Sequence, residues 1–140
     1  MPTVLAIDDE PHVLRSLARE LRGQPFELLT ESDPQRALER LRRTDGGAEL
    51  DVVLCDCRMP QLDGLQLLAE LHRLHPRTVT ILMSGHADMQ DVLESVTAAD
   101  IFRFISKPWD PPELRAALLD ALAQRRRLVE NHSVAGRVHA

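Results

Sequence analysis

The chain has 140 residues, 44% of them hydrophobic, and 17 basic against 22 acidic side chains give a net charge of −5. That is enough for one domain with a single sizeable core and too apolar for a disordered segment. No apolar run approaches the length of a membrane span, the N-terminus lacks the basic-then-apolar layout of a secretory signal, and the acidic balance argues against nonspecific nucleic-acid binding.

In chain order, Val4–Ile7 is a short apolar run closed by Asp8-Asp9. Pro11 then stands where a first helical turn tolerates it, and Leu14, Leu17, Ala18 and Leu21 recur at helical spacing until Gly23 stops the helix. Phe26–Thr30 reads as a second strand, and Asp33-Pro34 opens a helix carrying Ala37, Leu38 and Leu41. Thr44–Ala48, with Gly46-Gly47, reads as a loop, and Asp51–Cys55 as the third strand. Leu65, Leu68, Leu71 and Leu74 or His75 continue a third helix ended by Pro76, and Thr78–Met83 is the fourth strand. Asp88 can cap a helix bearing Val92, Leu93 and Val96; Ile101–Ile105 is the fifth strand. From Pro112, Leu114, Ala117, Leu118, Ala121 and Leu122 make the apolar face of a last helix, which leads through Arg125–Arg127 into a polar tail expected to fray.

Five strands alternating with five helices imply an α/β fold, a parallel sheet covered by helices on both faces. The first, third and fourth strands read as the continuous apolar runs such burial demands. In this architecture ligands sit beyond the carboxyl ends of the strands. The residues found there are Asp8, Asp9 and Glu10 after the first strand and Asp56 after the third, then Ser84, Gly85 and His86 after the fourth and Ser106, Lys107 and Pro108 after the fifth. Gathered carboxylates repel one another and call for a cation, and an all-oxygen donor set suits Mg²⁺. Asp56 can then act as a nucleophile toward phosphorus, with Lys107 and the metal offsetting charge on the phosphoryl group and Ser84 donating a hydrogen bond to it. Each group alone has an ordinary explanation: acids at a helix start, a turn aspartate, a loop serine-glycine. Their joint occurrence at four strand ends carries the functional reading.

The pieces IDDE at 7–10, DCRMPQLDG at 56–64, MSGH at 83–86 and SKPW at 106–109, in that order, resemble the receiver domain of two-component response regulators over roughly residues 3–125. The resemblance implies a flavodoxin-like, doubly wound, five-stranded parallel sheet of order 2-1-3-4-5. Residues 1–125 would form the receiver, and 126–140 a C-terminal helix extension or a linker and flexible tail. It implies that Asp56 accepts phosphate from a sensor histidine kinase or phosphotransfer protein. Asp9, Asp56 and the Arg58 carbonyl would ligate Mg²⁺ directly, and Asp8 would act through a metal-bound water. Lys107 would contact the phosphoryl oxygens, and Pro108 would follow a cis peptide. Ser84 would move inward on phosphorylation and Phe104, three residues before the lysine, would turn with it as the aromatic switch. Arg58 and His86 occupy positions that tune phosphate lifetime in this family. The surface of the helix after Asp88, the fifth strand and the last helix would then control an output domain or downstream protein, or pair two copies as a homodimer. Membrane and direct nucleic-acid partners are not expected.

Such a protein is a switch rather than a turnover enzyme. Two other readings share the residues. A degenerate receiver would bind partners without phosphate, though its acids, Ser84 and Lys107 are intact. A haloacid-dehalogenase-type phosphatase would need an aspartate two residues after its nucleophile, where this chain has Arg58. A flavodoxin-like electron carrier would need a hydroxyl-rich phosphate loop where this chain has acids. Cys55 and Cys57, one residue apart, are too close to staple a domain and too few for a zinc site. They point to a reducing cytoplasm, with Cys55 in the core and Cys57 in the following loop. Trp109 is expected to cover the start of the last helix.

Overall fold

In the first and third strands the side chains alternate between two apolar clusters, which fixes the layers. Val4 and Ala6 face one way, with Val52 and Leu54; Leu5 and Ile7 face the other, with Val53 and Cys55. The computed structural model describes residues 1–43, 50–57, 64–85 and 101–139, with the backbone alone at 64–65 and 131–139. Its strands are β1 (Thr3–Ile7), β2 (Glu27–Glu31), β3 (Val52–Asp56), β4 (Val79–Ser84) and β5 (Arg103–Ser106). All pair in parallel in the order β2-β1-β3-β4-β5, the order the resemblance implied.

The helices among the described residues are α1 (Pro11–Glu20), α2 (Pro34–Arg43), α3 (Gly64–Leu74) and α4 (Pro111–His139). The expected loop Thr44–Ala48, the helix from Asp88 with Val92, Leu93 and Val96, and both Arg58 and His86 lie outside the described residues. α1 begins with Pro11 at its first turn and closes with the Leu21 N–H donating to the Leu17 carbonyl at 2.9 Å. Gly23 follows at φ +82°, a left-handed conformation that costs glycine little. Asp110 caps α4 through its carboxylate, which accepts from the Glu113 N–H at 3.2 Å.

α1 and α4 cover one face of the sheet. Val13, Leu14 and Leu17 of α1 meet Leu114, Ala117, Leu118, Ala121 and Leu122 of α4 over the even-numbered residues of β1 and β3. α2 and α3 cover the other face through Ala37, Leu41, Leu67 and Leu71. The three strands that read as unbroken apolar runs are the three central ones, buried on both faces. β2 and β5 are the edges, and their mixed sequences match that position.

Three local details refine the sequence reading. The last helix continues past Asn131, its backbone helical to His139, and Leu128 packs against the core. Asp51 does not open β3; it stands just outside, where its carboxylate accepts the Thr3 N–H at 2.8 Å and the Arg125 guanidinium at 3.3 Å. Cys57 follows β3 in the loop, as expected, but is buried there. Its N–H donates to the Met83 carbonyl at 2.8 Å, and its side chain is buried with Leu68, Leu82 and Ile101.

Candidate functional site

Parallel pairing carries the ends of β1, β3, β4 and β5 to one edge of the sheet. Asp56 is the last residue of β3, in register with Met83, while Ser84 and Ser106 end β4 and β5 opposite each other. Asp8 follows β1 and is buried, as is Asp56. Lys107, the only lysine in the chain, reaches back between them. Its Nζ lies 2.6 Å from Asp8 Oδ2 and 3.3 Å from Asp56 Oδ1. Asp8 and Asp56 thus share one ammonium group, carried by a residue 99 positions beyond Asp8.

Burial is the largest influence on the Lys107 ammonium and works against its charge. The hydrogen bond to Asp8 and the charges of Asp56 and Asp8 together outweigh it, and they hold the group above its ordinary range. The turn carrying Lys107 is fixed by its backbone N–H, which donates to the Ser84 carbonyl at 2.9 Å. The Lys107-Pro108 peptide is cis, as the resemblance implied.

Asp8, Asp9 and Glu10 bring their carboxylate oxygens within 4.8 Å of one another, with Asp8 buried, Asp9 half-buried and Glu10 exposed. Asp8 Oδ1 also accepts the Glu10 N–H at 3.0 Å, which orients its carboxylate at the start of α1. Glu10 was legible in the IDDE motif but carried no role in the sequence reading. Hard oxygen donors grouped this closely fit a divalent cation such as Mg²⁺.

The Ser84 hydroxyl is buried without a hydrogen-bond partner among the described residues. A buried hydroxyl left unpaired costs about 1–3 kcal/mol, so a native fold retains one where another need is served. Because Ser84 is already only 1% exposed, any approach to a group on Asp56 is a side-chain rotation rather than a change of exposure. Phe104 is half-buried against the cluster of Cys57, Leu68, Leu82 and Ile101. Cys55, flanking Asp56, is an unreactive neighbour: burial above all, then the charges of Asp56 and Asp8, pushes its thiol far above the thiolate range.

The arrangement is thus a doubly wound α/β domain of flavodoxin-like order whose carboxyl edge joins an acidic, metal-suited cluster, a buried aspartate and a shared lysine. The chain belongs to the response regulator receiver domain family, whose model matches residues 4–119. It is similar to the hydrogenase transcriptional regulatory protein HoxA of Cupriavidus necator, with 36% identity over 98% of this chain and 26% of that protein. It is also similar to the transcriptional regulatory protein GlrR of Escherichia coli, with 31% identity over 86% of this chain and 26% of the relative. The chain therefore spans about a quarter of the length of these curated relatives. Among solved structures, the signal receiver domain of an HD domain-containing protein from Pseudomonas fluorescens Pf-5 superposes with a TM-score of 0.79 at 33% identity, over 90% of this chain and 98% of that one. Receiver domains are signalling switches rather than turnover enzymes, and they generally bind Mg²⁺ at an acidic pocket. No helix among the described residues is long and apolar enough to cross a membrane.

Proposed function

We propose that this chain is a phosphorylation-controlled switch in which Asp56 accepts a phosphoryl group from a histidine kinase or phosphotransfer protein. The observation that carries the reading is Lys107 Nζ held between Asp8 and Asp56, beside a Ser84 hydroxyl that lacks a partner among the described residues. In the transfer, an Asp56 carboxylate oxygen attacks phosphorus and the bond from phosphorus to the donor's imidazole nitrogen breaks. The electron pair returns to the imidazole, which then takes up a proton. Asp8, Asp9, Asp56 and the Arg58 carbonyl are the groups that would hold Mg²⁺, which when bound offsets charge on the phosphoryl oxygens. Lys107, already paired with Asp56, follows the added charge onto the phosphoryl group without a large movement. Ser84 rotates its hydroxyl to donate to a phosphoryl oxygen, and Phe104 repacks in the space this opens. Arg58 and His86 set how readily water attacks the adduct.

The output lies with a domain or protein beyond the described residues, or with a second copy of the chain. Its relatives are named as transcriptional regulators and are three to four times as long, which supports an attached or associated output domain. Incubation with Mg²⁺ and acetyl phosphate tests the reading. One labile adduct per chain, lost in Asp56→Asn, is expected. Rapid multiple turnover would instead indicate a phosphatase, and the absence of any adduct a phosphate-independent interaction module.

A further inference from the structure

Two hydrogen bonds, not one, tie the segment carrying Asp8 to the segment carrying Lys107. Besides the ammonium on Asp8, the Trp109 indole N–H donates to the Glu20 carboxylate, across 89 positions of sequence. Glu20 is the last residue of α1, and α1 starts directly after the Asp8–Glu10 cluster. The two attachments therefore sit at opposite ends of a helix about 15 Å long. On the other segment they are separated only by Pro108. A single contact fixes the distance between two segments, whereas a second contact away from the first also fixes their relative orientation. Trp109 is half-buried against the α1–α4 side of the core, so its ring cannot swing freely. The next residue, Asp110, is committed to capping α4. An indole N–H can only donate, and it is satisfied here by one carboxylate oxygen.

We propose that Glu20 is a positioning residue for the phosphoacceptor site: by accepting the Trp109 indole N–H it orients the Lys107–Asp110 turn against α1 and so sets the reach of Lys107 to Asp8 and Asp56. The inference rests on the reading of Asp56 as phosphoacceptor. It requires an acceptor oxygen at residue 20 and not a charge. Glu20→Gln therefore keeps the function, Glu20→Leu removes the acceptor, and Trp109→Phe removes the donor while keeping a ring.

Two readouts on the full chain test it, with circular dichroism confirming the fold of each variant. The first is the rate of adduct formation with Mg²⁺ and acetyl phosphate. The second, independent of phosphorylation, is the rate at which an amine-acylating reagent modifies Lys107. As the sole lysine, it is read by mass spectrometry against the N-terminal amine. Glu20→Leu and Trp109→Phe are each expected to slow adduct formation about fivefold and to speed Lys107 acylation about threefold, because misplacement of a group by a fraction of an ångström is felt in the rate. The double variant should be no worse than either single one, since both remove the same bond. Glu20→Gln should match the unmodified chain on both readouts. Unchanged Lys107 acylation in Trp109→Phe overturns the inference whatever the adduct rate, as does Glu20→Gln behaving like Glu20→Leu. An unmodified chain that forms no adduct defeats the reading of Asp56 instead, a result the acylation arm does not imitate.

Discussion

At the edge where the strands begin, Asp51 and Arg125 form a charge pair with its partners supplied. The Asp51 carboxylate accepts from Thr3 and Arg125, and the guanidinium also donates to the Arg77 carbonyl at 2.9 Å. Beside it the Thr78 hydroxyl donates to the Leu50 carbonyl at 2.7 Å. At the edge where the strands end, Asp8 and Asp56 share Lys107, Asp9 and Glu10 cluster with Asp8, and the Ser84 hydroxyl has no partner among the described residues. Both edges bury charge, but the second gathers more acid than base and carries a buried hydroxyl without a partner among the described residues. A closed polar network serves to lock helix and strands in register, whereas an excess of acid with a spare donor leaves room for a cation and an anion to arrive. The same sheet is thus fastened at one end and receptive at the other.

The comparison breaks most sharply at the two aspartates. Asp56→Asn should abolish the acetyl phosphate adduct, followed by mass spectrometry, while leaving the fold intact. Asp51→Asn, which keeps an oxygen for the Thr3 N–H, should leave the adduct rate within about twofold of normal, because nothing at the starting edge touches the reacting atoms. Next in size, Arg125→Met should cost about 2 kcal/mol in urea unfolding. The usual cost of stranding one member of a buried pair is reduced here because the Asp51 side chain is 26% exposed. Adduct formation in Arg125→Met falling as far as in Asp56→Asn would erase the division between the edges.

Two smaller effects sharpen it. Phe104→Ala should still accept phosphate at a near-normal rate yet weaken the response of the phosphorylated chain, read as the change in partner affinity or self-association on phosphorylation. Full coupling in this variant would remove Phe104 from the route. Ser84→Ala should raise the stability of the unphosphorylated chain by about 1 kcal/mol, since it deletes an unpaired buried hydroxyl. The sign is the informative part: the same truncation at Thr78, whose hydroxyl is paired, should lower stability in the same urea experiment.

The layout of the sheet was open to inspection in the sequence because burial on both faces leaves an unmistakable mark on a short strand. VLAI, VVLC and TILM could only be central, and each was followed by its polar residue. Asp8, Asp56, Ser84 and Lys107 were therefore found from position alone, and the Lys107 contacts are those that position requires. What escaped was pairing between distant residues with no periodic signature. Asp51 and Arg125 are 74 residues apart, and each has a bland local reading, a strand start and the head of a basic run. Glu20 and Trp109 are equally silent: a glutamate at a helix end is ordinary, and only the packing of α1 beside α4 brings the two together. The burial of Cys57 within its loop was hidden in the same way, because Leu68, Leu82 and Ile101 arrive from elsewhere.

The length of α4 has a mechanical meaning. The helix begins two residues after Trp109, beside the turn that bears Lys107, and runs about 43 Å as a continuous rod. Arg125 fastens it to the far rim of the sheet at its midpoint, with equal spans of about 21 Å on either side. The half before Arg125 is bedded against α1 and the sheet through Leu114, Ala117, Leu118, Ala121 and Leu122, so any shift of α1 or the strands is delivered to the rod along that whole half rather than at one end.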